Sequence, residues 1–298
     1  MMRPLIVLLL LIQFASCANA SAPQQNRDFA EKVVEFTLSE IRENGPSRES
    51  ANFVSRSMDL QWPKRRELFK VTSPYINSPD SSKAAAAVEI LYRLRGYHPM
   101  AGFGFSEEAW QKENSDFFSE IDAFVYKSLD HLLTNQDNTL LTNLAEYLGS
   151  SAPSQISKKA LLELAKNPQV REQALICLTW HKDKNDMDDL LPFMLDGASS
   201  LPYLFRNNYG VAAAPYLLKA LAESSSPFVR LQSAEQLVFM NEKAGIKYLY
   251  EAILHRDELP NGQAQAGEIM QFAVSYMGFP KQDFSKMDEL EKFLMRRL

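Results

Sequence analysis

The residue types best suited to chemistry lie together in GYHPMAGFGFSEEAW, residues 96–110. Tyr97, His98, Glu107 and Glu108 all carry groups that can exchange protons in general acid and base catalysis. Catalysis would require these groups to converge in a pocket that shifts their pKa values, and the sequence shows only that they are close along the chain. A small-ligand-binding protein or enzyme built around residues 96–110 is therefore one hypothesis for function.

Phe103 and Phe105 alternate with glycine in the same segment, as GFGF. Glycine lets a backbone approach a ligand closely, so the two rings are candidates for ligand or partner contact together with Tyr97 and His98. The alternative is that Phe103 and Phe105 fill a hydrophobic gap in the core, and we favour that interpretation.

The rest of the chain offers little sign of catalysis or of metal or cofactor binding. It has no GxSxG, no glycine-rich phosphate loop, no HExxH and no paired CxxC. No two of its histidines, His98, His131, His181 and His255, are three or four residues apart, so no local metal pair exists. We predict no catalytic, cofactor or metal residues and no cofactor.

An acidic cluster, DKNDMDD at Asp183–Asp189, resembles a calcium loop in composition only. It lacks the glycine and the distal glutamate that the helix-loop-helix calcium signature needs. We therefore predict a solvated turn between two helices here.

The N-terminal residues 1–20 have the features of a secretory signal peptide. Arg3 precedes an apolar run from Leu5 to Leu11, and small residues at Ala18 and Ala20 form a cleavage site before Ser21. A transmembrane anchor is the alternative, but the run is too short and Gln13 interrupts it. We expect a secreted or periplasmic protein.

Lipidation is a second alternative, because FASC, residues 14–17, resembles a bacterial lipobox. Cys17 would then become the lipidated N-terminus and tether the protein to a membrane surface. The resemblance is imperfect, since the pattern favours Leu, Val or Ile where this chain has Phe14. Membrane association is expected only through Cys17.

The charge balance argues against a nucleic-acid partner. The formal net charge is -5, and loss of residues 1–20, which contain Arg3 and no acid, would make it -6. Phosphate binding needs a concentrated basic face, and the basic runs at Pro63–Lys70 and Arg296–Arg297 are typical of solvated helix faces. Without residues 1–20 the only cysteine is Cys177, which we predict to be buried.

A repeated phrase indicates the architecture. NPQVREQALICL, residues 167–178, has a near copy in SPFVRLQSAEQL, residues 226–237, and both contain VRxx[AS]xxxL after a proline that is typical of a helix start. Residues at i, i+4 and i+8 of this pattern line one helix face. Two further segments fill the same three positions, which we call the slots. The slots of the four segments, in chain order, are Leu140, Leu144 and Leu148; Val170, Ala174 and Leu178; Leu201, Phe205 and Tyr209; and Val229, Ser233 and Leu237.

The first slots are separated by 30, 31 and 28 residues, a length suited to a pair of short helices. A second helical pattern fills each interval, clearest in Ala213–Leu221 and Gly245–Ile253, and also present in Ile156–Ala165 and Asp189–Leu195. Neither helix of a pair can bury its apolar stripe alone, so we expect the pairs to stack on one another.

These units resemble short HEAT repeats of the PBS-lyase type over residues 138–255. The resemblance implies an all-α fold, an α-α superhelix in which antiparallel helix pairs form a HEAT-like solenoid. In that family the arginine after the valine commonly bridges to the neighbouring repeat, which implies inter-repeat structural roles for Arg171 and Arg230. The alternative is a globule of unrelated amphipathic helices.

The segments that flank these repeats are also expected to be mostly helical. Arg27–Ile41, Ser81–Leu94 and Asp116–Leu133 have helical apolar stripes, and the C-terminal helices should end near Arg296 and Arg297. The predicted organisation is a signal peptide at 1–20, an N-terminal helical cap and irregular segment at 21–80, a degenerate repeat at 81–137 with its insertion at 96–110, HEAT-like repeats at 138–256 and capping helices at 257–298.

The leading functional hypothesis is a non-enzymatic extracytoplasmic module whose solenoid surface binds or scaffolds another protein. It competes with the ligand-binding or enzymatic hypothesis for residues 96–110. A purely structural envelope component is favoured if Cys17 is lipidated.

Overall fold

The computed structural model describes residues 65–96, 114–258, 261–280 and 286–298, together with Lys32, Glu35 and Lys112. All regular structure in these ranges is helical, which confirms the all-α class. The chain divides into two compact units, Met1–Ser151 and Ala152–Leu298. Within the described ranges, no helix combines the length and the apolar character that crossing a membrane requires.

The first unit is organised around one largely buried helix, α2. The side chains of Ala84–Val88, Ile90, Leu91 and Leu94 are all inaccessible to solvent. Four successive alanines favour the helix and let its neighbours approach closely, and α2 packs against α1, α3 and α5. The elements are α1 (Arg65–Thr72), a 3-10 turn (Ser73–Asn77), α2 (Ser81–Gly96), α3 (Ser115–Lys127), α4 (Leu129–Leu133) and α5 (Asn138–Ser150).

The stripe predicted over Asp116–Leu133 lies on two helices, α3 and α4. They separate at Ser128, whose backbone N–H bonds to the carbonyl of Val125 three residues earlier and tightens the last turn of α3. Of the predicted stripe, Phe117, Ile121, Val125 and Leu132 are buried, and Phe124 is half-buried.

Polar side chains also hold the first unit together. The Tyr147 hydroxyl donates to Asp122 Oδ1 at 2.5 Å, and Arg95 Nε lies 3.4 Å from the same oxygen. Asn143 Nδ2 donates to the carbonyl of Ala85 at 3.1 Å. These contacts tie α5 to α3 and α2, and burial raises the pKa of the Tyr147 hydroxyl well above its ordinary value.

The second unit consists of helices of similar length joined by short turns. Its elements are α6 (Gln155–Leu164), α7 (Arg171–Thr179), α8 (Asp186–Leu195), α9 (Leu201–Tyr209), a 3-10 turn (Gly210–Ala213), α10 (Ala214–Glu223), α11 (Pro227–Phe239), α12 (Lys243–Leu254), α13 (Gly262–Phe272) continued by a π turn (Ala273–Met277), and α14 (Met287–Met295).

Every slot residue of the repeated pattern is buried, with an exposed fraction of 4% or less. The register of the predicted helix face is therefore confirmed, including Ser233, which occupies a slot otherwise filled by apolar residues. In the second unit, α7 contacts α9 and α9 contacts α11, while α8 contacts α10.

The two copies of the repeated phrase start their helices differently. Pro227 is the first residue of α11, where Ser226 Oγ accepts a hydrogen bond from the Val229 N–H at 3.4 Å. Pro168 lies in a turn, and α7 begins only at Arg171. Pro168 thus precedes its helix by three residues while Pro227 begins its own, because the Asn167 side chain accepts the Gln169 N–H and forms a local turn before α7.

Arg296 and Arg297 follow the end of α14, as predicted. Arg296 Nε donates to the carbonyl of Lys292 at 3.2 Å, and Arg297 Nη2 donates to that of Met277 at 3.1 Å. The two guanidinium groups thus add hydrogen bonds to carbonyls near the C-terminal ends of α14 and of the π turn.

Candidate functional site

Most of the predicted site residues lie outside the described ranges. These are Tyr97, His98, Phe103, Phe105 and Cys17, together with the signal peptide. The lipidation site and the ligand-binding or enzymatic hypothesis for residues 96–110 therefore stay predictions. Of the sequence-predicted residues, Arg171 and Arg230 are described.

Arg171, the first residue of α7, contacts the ends of two other helices, α6 before it and α8 after it. Its Nε donates to the carbonyl of Ala165, at the end of α6, at 3.2 Å. Its Nη1 lies 3.1 Å from Asp196 Oδ2, at the end of α8. The side chain of Asp196 is mostly exposed, so the backbone contact is the stronger of the two.

Arg230 has the same place in the repeated phrase but different surroundings. Its Nε is buried and has no hydrogen-bond partner among the described residues. The position that corresponds to Asp196, 25 residues after the arginine, holds His255, which pairs with Glu258 instead. The matching sequence at Arg171 and Arg230 thus does not produce matching contacts.

Two other contacts in the second unit join successive helix pairs. Glu172, next to Arg171, accepts hydrogen bonds from the Ser199 N–H at 2.9 Å and from the Ser200 hydroxyl, just before α9. The Ser224 hydroxyl donates to the carbonyl of Leu195 at 3.1 Å. Glutamate at a helix N-terminus is favourable, because the unpaired N–H groups there carry partial positive charge.

The acidic cluster begins in an exposed turn at Asp183–Asn185, as predicted, but its last four residues form the first turn of α8 instead. Asp186 and Asp189 lie in the first turn of α8, where Lys158 Nζ from α6 approaches them at 2.7 and 2.6 Å. Asp186 is buried, with 1% of its surface exposed. The described residues contain no group of three or more side chains that could hold a metal ion.

A groove lies between α11 and α13 in the second unit. Phe228, Gln232, Glu235 and Phe239 are spaced by 4, 3 and 4 residues, which places them along one side of α11. Phe228 and Phe239 are 45% and 40% exposed, although large aromatic side chains are usually buried. This stripe runs beside the buried slots, with its two phenylalanines exposed and Gln232 and Glu235 half-buried between them.

The opposite wall comes from α13 and the π turn after it. Glu268, Gln271, Phe272, Ser275 and Tyr276 line the groove, and Tyr276 is 67% exposed. Helices with a π turn present their side chains at unusual angles and often do so at functional sites. Here the π turn carries Ser275 and Tyr276 into the groove wall.

Three aromatic rings cluster where Phe272 and Tyr276 of the groove wall meet Phe239. The Phe239 centroid lies 5.4 Å from that of Phe272 and 5.2 Å from that of Tyr276, in edge-to-face geometry. Phe272 and Tyr276 are 5.4 Å apart. The Arg206 guanidinium of α9 stacks 4.3 Å from the Phe239 centroid, which extends the aromatic surface to a third helix.

Two carboxylates face each other across the groove. Burial, reinforced by repulsion from Glu268, raises the pKa of Glu235 to about 7. Neither carboxylate forms an ion pair with a basic side chain among the described residues. The side-chain oxygen of Gln232, in the same wall, is buried and lacks a hydrogen-bond donor there.

The groove has a volume of about 270 Å³. Binding pockets for drug-sized ligands usually hold roughly 300 to 1,000 Å³, so this groove suits one or two side chains better than a whole organic ligand. It combines aromatic walls, negative charge and an unsatisfied acceptor.

This groove is not predicted by the sequence pattern. Its signal on α11 was present as the spacing of Phe228, Gln232, Glu235 and Phe239, but the buried slots of the same helix dominated the pattern. The other wall is formed by residues about 40 positions later, and nothing in the periodicity links them.

The chain was compared with protein-family models, with curated proteins and with solved structures, and none of the three comparisons gave a match.

Proposed function

We propose that this protein is a non-enzymatic interaction module that binds another protein through its second unit, whose helix pairs stack as in a HEAT-like solenoid. Three features support the stacking. The slot residues of α7, α9 and α11 are buried, α7 contacts α9 and α9 contacts α11, and α8 contacts α10. Lys158, Arg171, Glu172 and Ser224 add polar contacts between successive helix pairs.

The groove between α11 and α13 is the proposed binding site for the partner. Exposed aromatic residues are enriched where proteins contact partners, and they dominate the energetics of such contacts. Phe228, Phe239 and Tyr276 present aromatic surface around a concave site, with Tyr203 of α9 also 54% exposed nearby in the same series of helices. A scaffold of packed helices holds these side chains in place before a partner arrives, which limits the entropy lost on binding.

We further propose an extracytoplasmic location, secreted or periplasmic, on the strength of residues 1–20. Arg3, the apolar run from Leu5 and the small residues at Ala18 and Ala20 support it. A tether through Cys17 is the second form of this proposal.

Site-specific photocrosslinking tests the interaction. A photoreactive amino acid replaces Tyr276 in the full chain, and in a matched control it replaces Lys219, an exposed residue of α10. The protein is irradiated in extracytoplasmic extract. Discrete protein adducts at position 276 and none at 219 support the proposal. Equal labelling at both positions, or none at 276, overturns it.

A further inference from the structure

The groove between α11 and α13 has an unbalanced charge. Glu235 and Glu268 approach each other in a partly dry site, and the described residues supply no cation to pair with them. The Arg206 guanidinium is nearby, but it stacks on Phe239 and bonds to Asn207 Oδ1 at 2.9 Å. Bringing two carboxylates together is unfavourable unless a positive group joins them.

Three properties of the groove favour arginine over lysine as the positively charged group that binds there. Aromatic faces from Phe228, Phe272 and Tyr276 attract cations, and they stack especially well on a planar guanidinium. Two carboxylates can accept several N–H donors at once. The unpaired Gln232 oxygen accepts one more. Among protein side chains, only arginine presents five N–H donors in a planar fork, and lysine presents three.

We infer that the groove between α11 and α13 binds a basic side chain of the partner, arginine in preference to lysine, between the Glu235 and Glu268 carboxylates and the aromatic walls of Phe228 and Tyr276. This inference rests on the proposed interaction function and specifies the chemistry of its partner. The volume of about 270 Å³ suits one such side chain with an apolar neighbour.

The test uses random linear peptides displayed on phage and selected against the full chain. Recovered peptides are expected to share an arginine or lysine beside an apolar residue. A recovered peptide is then synthesised with arginine and with citrulline, which keeps the shape but loses the charge. Citrulline should weaken binding at least about tenfold, because a charged hydrogen bond in a desolvated site is lost.

Variants of the protein make the reciprocal test. Glu235→Gln with Glu268→Gln should weaken binding of the arginine peptide at least about tenfold and abolish the preference over citrulline. Glu223→Gln, at an exposed position of α10, is the matched control and should bind as wild type does. Thermal melts check that each variant is folded, which we expect because a carboxamide has almost the shape of a carboxylate.

The outcomes separate this inference from the proposed function. Peptides that bind without any basic residue, and that tolerate both glutamine substitutions, overturn the basic-side-chain inference while leaving an interaction module. No selected peptide together with no adduct at position 276 overturns both. Crosslinks from position 276 to a second copy, or to residues 21–64 of the same chain, assign the groove to that occupant and also overturn the inference.

Discussion

Lys158 of α6 holds the buried carboxylate of Asp186 at the start of α8, with 2.7 Å between Nζ and Oδ1. The same ammonium lies 2.6 Å from the more exposed Asp189. Burial alone would lower the pKa of Lys158, but hydrogen bonds with Asp186 and Asp189 outweigh it and the pKa is raised overall. One cation thus neutralises two acids at the start of the second helix of the next pair.

Substitution of Lys158 by methionine should destabilise the second unit strongly. Asp186 would be left buried without its partner, and breaking a buried ion pair from one side costs about 3 kcal/mol. Lys166→Met is the matched control, because Lys166 and its partner Glu163 are both more than half exposed, and it should change the free energy of unfolding by less than about 0.5 kcal/mol. Urea unfolding measures both. Similar losses for the two variants would contradict this account.

Arg171 and Arg230 should differ when each is replaced by alanine, although their sequence context is the same. Arg171→Ala removes a charged hydrogen bond to the Ala165 carbonyl and should cost about 1 to 2 kcal/mol. Arg230→Ala removes a guanidinium whose Nε has no partner among the described residues, and should cost less. Thermal melting of the two variants makes the comparison. Equal losses would restore the equivalent structural roles that the repeat resemblance implies.

The helix faces could be predicted from the sequence because the periodic spacing of apolar residues indicates them directly. Each slot residue is buried because i, i+4 and i+8 positions necessarily share a helix face, whatever lies against it. Helix ends were less predictable. Pro168 and Pro227 align in sequence, yet Asn167 and Ser226 cap different turns and shift the helix start by three residues.

Contacts between helices could not be predicted in the same way. Lys158 meets Asp186, and Glu172 meets Ser199, across about 28 residues, and only the stacking of the pairs brings them together. The groove likewise forms only because α11 and α13 pack side by side. The exposed Phe228 and Phe239 are visible in sequence as aromatic residues, but their exposure is a property of the packing.

Gly245 is expected to be intolerant of even one added methyl group. A Cβ atom there would lie 2.4 Å from the Ala234 carbonyl oxygen and 2.9 Å from the Val238 nitrogen, because α12 packs directly on the backbone of α11. Backbone atoms cannot rotate away, so Gly245→Ala should cost about 1 to 3 kcal/mol despite the better helix propensity of alanine. Lys247→Ala, an exposed site on the same helix, is the control and should be nearly neutral. Equal stability of Gly245→Ala and wild type in urea unfolding would refute the close packing.

The stability of the second unit should depend on pH through Glu235. Its pKa is raised from 4.5 to about 7, because burial and then Glu268 disfavour the ionised form in the fold. Between these values the folded chain binds more protons than the unfolded chain, so the free energy of unfolding contributed by this group falls as pH rises from about 4.5 to 7, and stays low above that.

Glu235→Gln removes this penalty, because a carboxamide stays neutral throughout. Its melting temperature should exceed that of wild type at about pH 8, and the difference should disappear as the pH is lowered to about 4.5. Glu223→Gln should show no such trend, which separates the effect of the groove from the loss of one negative charge. A constant difference between Glu235→Gln and wild type across the pH range would mean that Glu235 ionises in the folded protein as freely as in the unfolded chain. The two carboxylates would then not be the desolvated pair that a basic side chain is proposed to neutralise.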